Sequence, residues 1–211
     1  MTTEPKNLGS KDLLEASRRP VMIAIGGMSG SGKTTLAESL AEKFPKAILL
    51  DSDVLMKRMH GVPPTTRLPD EVYTPENRDK FISYIHMQAA KQLLLGNSVI
   101  VTGAFLDHAA RSRQEALAQR CGAEFVGLYL HAPLSTLYDR VAKRRNNPSD
   151  AGTHVVQRQF KGASKRPQRE LPWSVIRAEK STEYVTDRAL SIIRRHVKPP
   201  RRQSPQIKKS L

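Results

Sequence analysis

The segment Gly27-Met28-Ser29-Gly30-Ser31-Gly32-Lys33-Thr34 constrains this chain more than any other. It fits the pattern G-x-x-x-x-G-K-[ST] in full, and its flanks fit the structural context that pattern needs. Val21–Ile25 is an apolar, β-branched run that predicts a buried strand, while Thr34–Phe44 places Leu36, Leu40 and Phe44 on one helical face. A glycine turn between a buried strand and a helix aims several backbone N–H groups at one point, beside the positive end of the helix dipole. That arrangement suits a triphosphate. Gly27, Met28, Ser29, Gly30, Ser31, Gly32, Lys33, Thr34 and Thr35 are therefore expected to hold ATP. Lys33 would reach the β- and γ-phosphates as a catalytic cation, and the Thr34 hydroxyl would coordinate Mg²⁺. A ligand-free glycine turn is the bland alternative, and the two flanking elements argue against it.

Other apolar runs fall at Ala47–Leu50, Ser98–Thr102, Glu124–Leu130 and Trp173–Ala178, alternating with helical patterns. Thr74 caps a helix running to about Leu95, His108–Arg120 and Pro133–Arg145 are helical, Val155–Phe160 is a short helix, and Ser181 caps the last one. Gly61–Pro69, with three prolines, is loop. The alternation predicts an α/β three-layer sandwich around a five-stranded parallel sheet. It divides the chain into a leader over 1–19, one domain over 20–197 with a lid over about 144–170, and a basic disordered tail over 198–211.

The second strand ends in Asp51-Ser52-Asp53, at the edge where open α/β sheets bind ligands. Asp53 is assigned as the base or acceptor-orienting group and Asp51 as the outer metal partner. The alternative for Asp53 is capping a helix over Val54–Met59. Arg140 and Arg144, four apart on one predicted helix, are expected to stabilise charge developing on the transferred phosphoryl group, with Arg145 as a weaker candidate. The alternative there is a solvated basic face. Lys57, Arg58 and Arg67 are candidate acceptor contacts, beside Asp53, in a pocket shaped by the Gly61–Pro69 loop and the start of the helix at Pro75.

Charge bears on the partner. The chain carries a net +15, of which the stretch 139–170 contributes +6 and the tail from Lys198 contributes +5. This points to a polyanion, either nucleotide phosphates or a nucleic-acid strand. No run approaches the length of a membrane span. The lone Cys121 excludes an internal disulfide framework, so a cytoplasmic setting is expected. The six histidines are scattered without metal-ligand spacing, which argues against a metal hydrolase.

Together, Gly26–Thr35, Asp51-Ser52-Asp53, Lys57-Arg58, Gly61-Val62-Pro63-Pro64, Tyr73-Thr74-Pro75-Glu76 and Arg140 with Arg144 and Pro148-Ser149-Asp150-Ala151 resemble the small P-loop "predicted kinase" family. These AAA-like kinases are related to polynucleotide, shikimate and gluconate kinases and to zeta-type toxins. The resemblance spans about Val21 to Ile193. It implies a P-loop, nucleoside-monophosphate-kinase-like fold using ATP and Mg²⁺. Asp51 and Asp53 are similar to the shikimate-kinase acid pair, whose first member attends the metal and whose second attends the acceptor. Two positions depart from the family pattern: Thr102 stands where an acid is expected, and Met56 where an arginine is expected.

Three readings follow. The first is an ATP-dependent phosphotransferase acting on a hydroxyl of a small molecule. The second is a polynucleotide 5′-hydroxyl kinase, disfavoured because aromatics make up only 5% of the chain and none interleave with the basic residues. The third is an ATP-binding switch or adaptor without transfer activity, for which Thr102 speaks. A mechanical AAA-type motor is not expected, since no acidic Walker-B strand end is visible. Oligomeric state is not legible.

Overall fold

A computed structural model describes residues 13–14, 17–144, 148–162 and 173–197. The greater part of the leader, residues 145–147 and 163–170 of the expected lid, and the tail over 198–211 lie outside the described residues.

Five strands form one sheet: β1 Val21–Gly27, β2 Ile48–Leu50, β3 Val99–Thr102, β4 Glu124–His131 and β5 Trp173–Arg177. Their order is β2-β3-β1-β4-β5 and every pairing is parallel, as the sequence predicts. β1 is central. All seven of its residues are buried, which is why it reads as a continuous apolar run rather than an alternating one.

Among the described residues seven α-helices flank the strands: α1 Lys33–Lys43, α2 Ser52–Met59, α3 Pro75–Leu94, α4 His108–Arg120, α5 Leu134–Ala142, α6 Thr153–Gly162 and α7 Thr182–His196. Successive β1 side chains alternate between two cores. Ile23 and Ile25 pack with Leu36 and Leu40 of α1 and Ala189 and Ile193 of α7. Met22 packs on the other face with Leu93 of α3 and Leu117 of α4. Leu13 and Leu14 of the leader join the first core. Each fully buried Ile, Leu or Met among them contributes about 1.5–3 kcal/mol.

Helix caps follow the sequence. Thr74 accepts from the Asn77 amide and Ser181 from the Tyr184 amide. The expected helix over Pro133–Arg145 stops at Ala142. Consecutive cations at Lys143, Arg144 and Arg145 would repel along a continued helix. A 3₁₀ turn over Asp70–Tyr73 follows the proline loop and was not expected. Among the described residues no helix is long and apolar enough to cross a membrane.

Candidate functional site

The glycine turn sits at the carboxyl edge of β1, and its shape depends on glycine. Gly27, Gly30 and Gly32 have φ of 142°, 84° and 92°. A Cβ on Gly27 would lie 2.6 Å from the Leu130 carbonyl oxygen, and one on Gly30 would lie 2.8 Å from that of Leu137. The turn is thus pressed against β4 on one side and α5 on the other. The Ser31 amide donates to the Met28 carbonyl at 3.1 Å, and Lys33 Nζ folds back onto the same oxygen at 3.1 Å. The Ser31 hydroxyl is buried with no hydrogen-bond partner, and the α1 N-terminus has no side-chain cap. The Ser29 amide donates to Gln159 Oε1 of α6 at 2.8 Å. An acceptor oxygen thus stands on one loop amide, where a phosphate oxygen would be at home. A triphosphate fits these groups.

Two carboxylates face the turn. Asp51, only 5% exposed, directly follows β2. Its Oδ1 accepts from the amides of Asp53 and Val54 at 3.0 and 3.2 Å. This corrects one alternative: Asp51, not Asp53, caps the short helix α2, because Asp51 is the last extended residue before it. Asp51 Oδ2 accepts from the hydroxyls of Thr34 at 3.2 Å and Thr102 at 3.1 Å. Thr102 in turn accepts from the Ser52 amide at 3.0 Å. Thr102, where the family pattern has an acid, therefore orients Asp51. The Thr34–Asp51 pair offers oxygen ligands that fit a Mg²⁺ ion. Among the described residues no group of three or more His, Cys, Asp or Glu could hold a metal.

Asp53 lies between charges. Burial raises its pKa above the ordinary carboxylate value, and the neighbouring Asp51 raises it further. Lys33, a hydrogen bond from Ser149 and Arg144 only partly offset this. Burial lowers the pKa of Lys33, with Asp53 acting against the shift. Arg144 is likewise lowered by burial and favoured in its charged form by Asp53. Lys33, Thr34, Asp53, Arg140 and Arg144 line one cleft of about 160 Å³. Arg140 also reaches the Gly30 carbonyl at 3.5 Å. Past Arg140 and Thr35 the cleft continues into a cavity of about 230 Å³ against Ala178 and Lys180 of the β5–α7 turn. A larger cavity, about 450 Å³, lies near Arg19, Lys46 and Ser98 at the opposite edge of the sheet, away from this chemistry.

The structure brings together Lys33, Thr34, Asp51, Asp53, Arg140 and Arg144. It does not bring Lys57, Arg58 or Arg67 to the cleft. Lys57 is 1% exposed and forms an ion pair with Asp150. Its fixed register on α2 turns it inward, where a buried ammonium requires a partner. Arg58 is exposed, and Arg67 sits on the surface 3.9 Å from Asp70. Arg145 lies outside the described residues.

Three residues escaped sequence reasoning. Asp150 accepts from Lys57 Nζ, from the Tyr73 hydroxyl and from the Leu68 amide, the last at 3.0 Å. Burial pushes its pKa up, but these donors outweigh that and hold it below the ordinary value. Asp150 thus ties the segment bearing Arg144 and Ser149 to the loop before α3. Ser149 bonds Asp53, and Gln159 bonds the glycine turn. The Pro148-Ser149-Asp150-Ala151 motif was the available signal for the first two; Gln159 had none. Asp150→Ala would leave the Lys57 ammonium buried and unpaired. It is expected to cost about 3 kcal/mol of unfolding free energy, seen as a lowered urea midpoint at unchanged slope.

A family model described as an AAA domain matches residues 22–166. An adenylyl-sulfate kinase of a Picosynechococcus species is 31% identical over 138 residues, covering 64% of this chain and 71% of that protein. An adenylyl-sulfate kinase of Shewanella baltica is 27% identical over 133 residues, covering 61% of this chain; the chain spans 60% of that relative's length. Among solved structures, a gluconokinase from Sinorhizobium meliloti superposes with a TM-score of 0.62 at 21% identity, covering 85% of this chain and 95% of that one.

Proposed function

The chain belongs to the AAA-domain family, its match spanning 22–166, and from that premise we propose that it is an ATP-dependent phosphotransferase acting on a hydroxyl of a small molecule. The observation that carries this reading is the convergence of Lys33, Asp53 and Arg144 on one cleft floored by the glycine turn. A bare nucleotide switch has no need of a carboxylate with a raised pKa beside its phosphate-binding lysine. The names of the adenylyl-sulfate kinase relatives support the same class.

The roles follow from position. Backbone amides of the turn and the α1 N-terminus bind the phosphates, with Lys33 and Arg144 stabilising charge that grows on the transferred group. Arg140, shared by the two cavities, spans the phosphates and the base side, where Thr35, Ala178 and Lys180 line the wall. ATP supplies the phosphoryl group and Mg²⁺ neutralises its oxygens when bound. Thr34 and Asp51 would hold the ion, and Thr102 keeps Asp51 aimed. Asp53, its pKa raised, takes the proton of the acceptor hydroxyl. Ser149 stands beside Asp53, and Asp150 anchors it to the loop before α3.

An ATP-consumption screen over nucleosides, sugars, hydroxy acids and 5′-hydroxyl oligonucleotides tests the proposal. Turnover above the ATPase background is expected with at least one small alcohol and not with oligonucleotides. Tight ATP binding without transfer to any of them would defeat it.

A further inference from the structure

The cavity of about 450 Å³ lies across the amino ends of β1, β2 and β3, at the edge of the sheet opposite the glycine turn. Its size is that of a small-molecule site. Three short segments build it: the leader up to Pro20, the α1–β2 turn over 44–47 and the α3–β3 turn over 96–98. Each directly precedes a strand, so the sheet fixes their spacing. The Ser98 hydroxyl accepts from the Val21 amide at 3.0 Å, and the Ser98 carbonyl accepts from the Ile48 amide at 2.9 Å. Ser98, itself next to Val99, thus ties the starts of all three strands together. The Ala47 amide donates to the Phe44 carbonyl at 2.9 Å, and the Ser17 amide to that of Leu14 at 3.3 Å. These bonds hold the other two walls, so the concavity is formed before any ligand arrives.

The lining joins cations to an apolar floor. Arg18, Arg19 and Lys46 line the cavity, and among the described residues no acid does. Arg19 is exposed where it reaches Glu124 outside the cavity at 3.5 Å, a pair that solvent screens. Leu14 and Phe44 are buried and belong to the first core, so they offer fixed apolar surface. Three cations without a carboxylate favour a dianion over a monoanion, and guanidinium groups match phosphate oxygens in pairs. These charges do not serve the ATP phosphates. β1 runs seven residues, about 20 Å, from this edge to the glycine turn, which exceeds the Debye length at physiological salt.

We propose that this cavity is a second ligand site, separate from the phosphate cleft, and that it takes a phosphate monoester carried on a compact apolar body. The phosphate lies among Arg18, Arg19 and Lys46, and the apolar body lies on Leu14 and Phe44. An occupant joins the leader to the turns before β2 and β3. It stabilises the fold by mass action and does not compete with ATP. The proposed transfer to an alcohol would itself yield a phosphate monoester, so its product belongs to the class this site takes. Binding at the site does not depend on that reading.

Calorimetry with the full chain tests this, using 1-naphthyl phosphate as the probe. It is expected to bind with a sub-millimolar constant, about tenfold or more tighter than inorganic phosphate, which lacks the apolar body, or 1-naphthalenemethanol, which lacks the charge. A saturating non-hydrolysable ATP analogue with Mg²⁺ is expected to leave that constant unchanged. Arg18→Gln should weaken binding about tenfold, the loss of one charge-assisted contact. Arg18→Glu combined with Lys46→Glu should abolish it. Both side chains are exposed, so these variants should keep the wild-type melting temperature and analogue affinity. The proposal is overturned if 1-naphthyl phosphate does not bind at millimolar concentration, if either control binds as tightly, or if the ATP analogue displaces it. It also fails if the folded double variant binds the probe like wild type.

Discussion

Lys33→Ala is expected to cut phosphoryl transfer about 10³-fold while the protein stays folded. The loss follows from position. Lys33 is the first residue of α1, its Nζ resting on the Met28 carbonyl inside the turn, where charge develops during transfer. Stability should not suffer. Burial lowers the Lys33 pKa, so at neutral pH the charged ammonium costs the ligand-free fold something that alanine removes. Steady-state transfer from γ-labelled ATP, paired with a thermal melt, separates the effects. Unchanged turnover in a folded variant would refute the cradle mechanism.

The second large effect is at Asp53. Asp53→Asn keeps the shape of the side chain and removes the proton acceptor, so transfer should fall about 10²- to 10⁴-fold. Its pH behaviour supplies an independent check. Burial, reinforced by Asp51, raises the Asp53 pKa in the folded chain above the unfolded value of 3.8. Between those two values folding takes up a proton, so stability falls as pH rises through the window. Above it the ionised carboxylate is a fixed cost. The asparagine variant should therefore be the more stable protein at pH 7, and the two should converge in stability at low pH. In the wild type the rate should climb with pH on a limb lying above the ordinary carboxylate range, as Asp53 ionises. An asparagine variant less stable than wild type at pH 7 would contradict the assigned environment.

Much of this site is written locally in the chain. The glycine turn reads directly, because the strand, turn and helix that shape it are contiguous over Val21–Lys43. The Asp51–Asp53 pair reads directly too, since it ends an apolar run. What the local sequence does not show is the physical basis for dividing labour between the two acids. That depends on Thr102, 51 residues away, which brings a hydroxyl onto Asp51 and frees Asp53 to face Lys33. Lys57 was misread for the same reason. A lysine near a loop looks like a solvent-facing anion contact until Asp150, 93 residues on, is seen to neutralise it. Its burial is a property of how the Asp150 segment packs on the loop before α3, invisible in α2 alone. The basic cavity at the opposite edge of the sheet was hidden differently. Its walls come from the leader and from the turns before β2 and β3, and Arg18, Lys46 and Ser98 share no short-range pattern.

In the proposed mechanism the turn at Gly27–Thr34 reads the terminal phosphates of ATP so that the last of them can be passed on. Calorimetric titration with ATP, ADP and AMP in the presence of Mg²⁺ tests it most directly. Affinity is expected to fall stepwise from ATP to ADP to AMP, with the advantage of ATP over AMP lost in Lys33→Ala. AMP binding as tightly as ATP, or no binding of ATP at millimolar concentration, would contradict it.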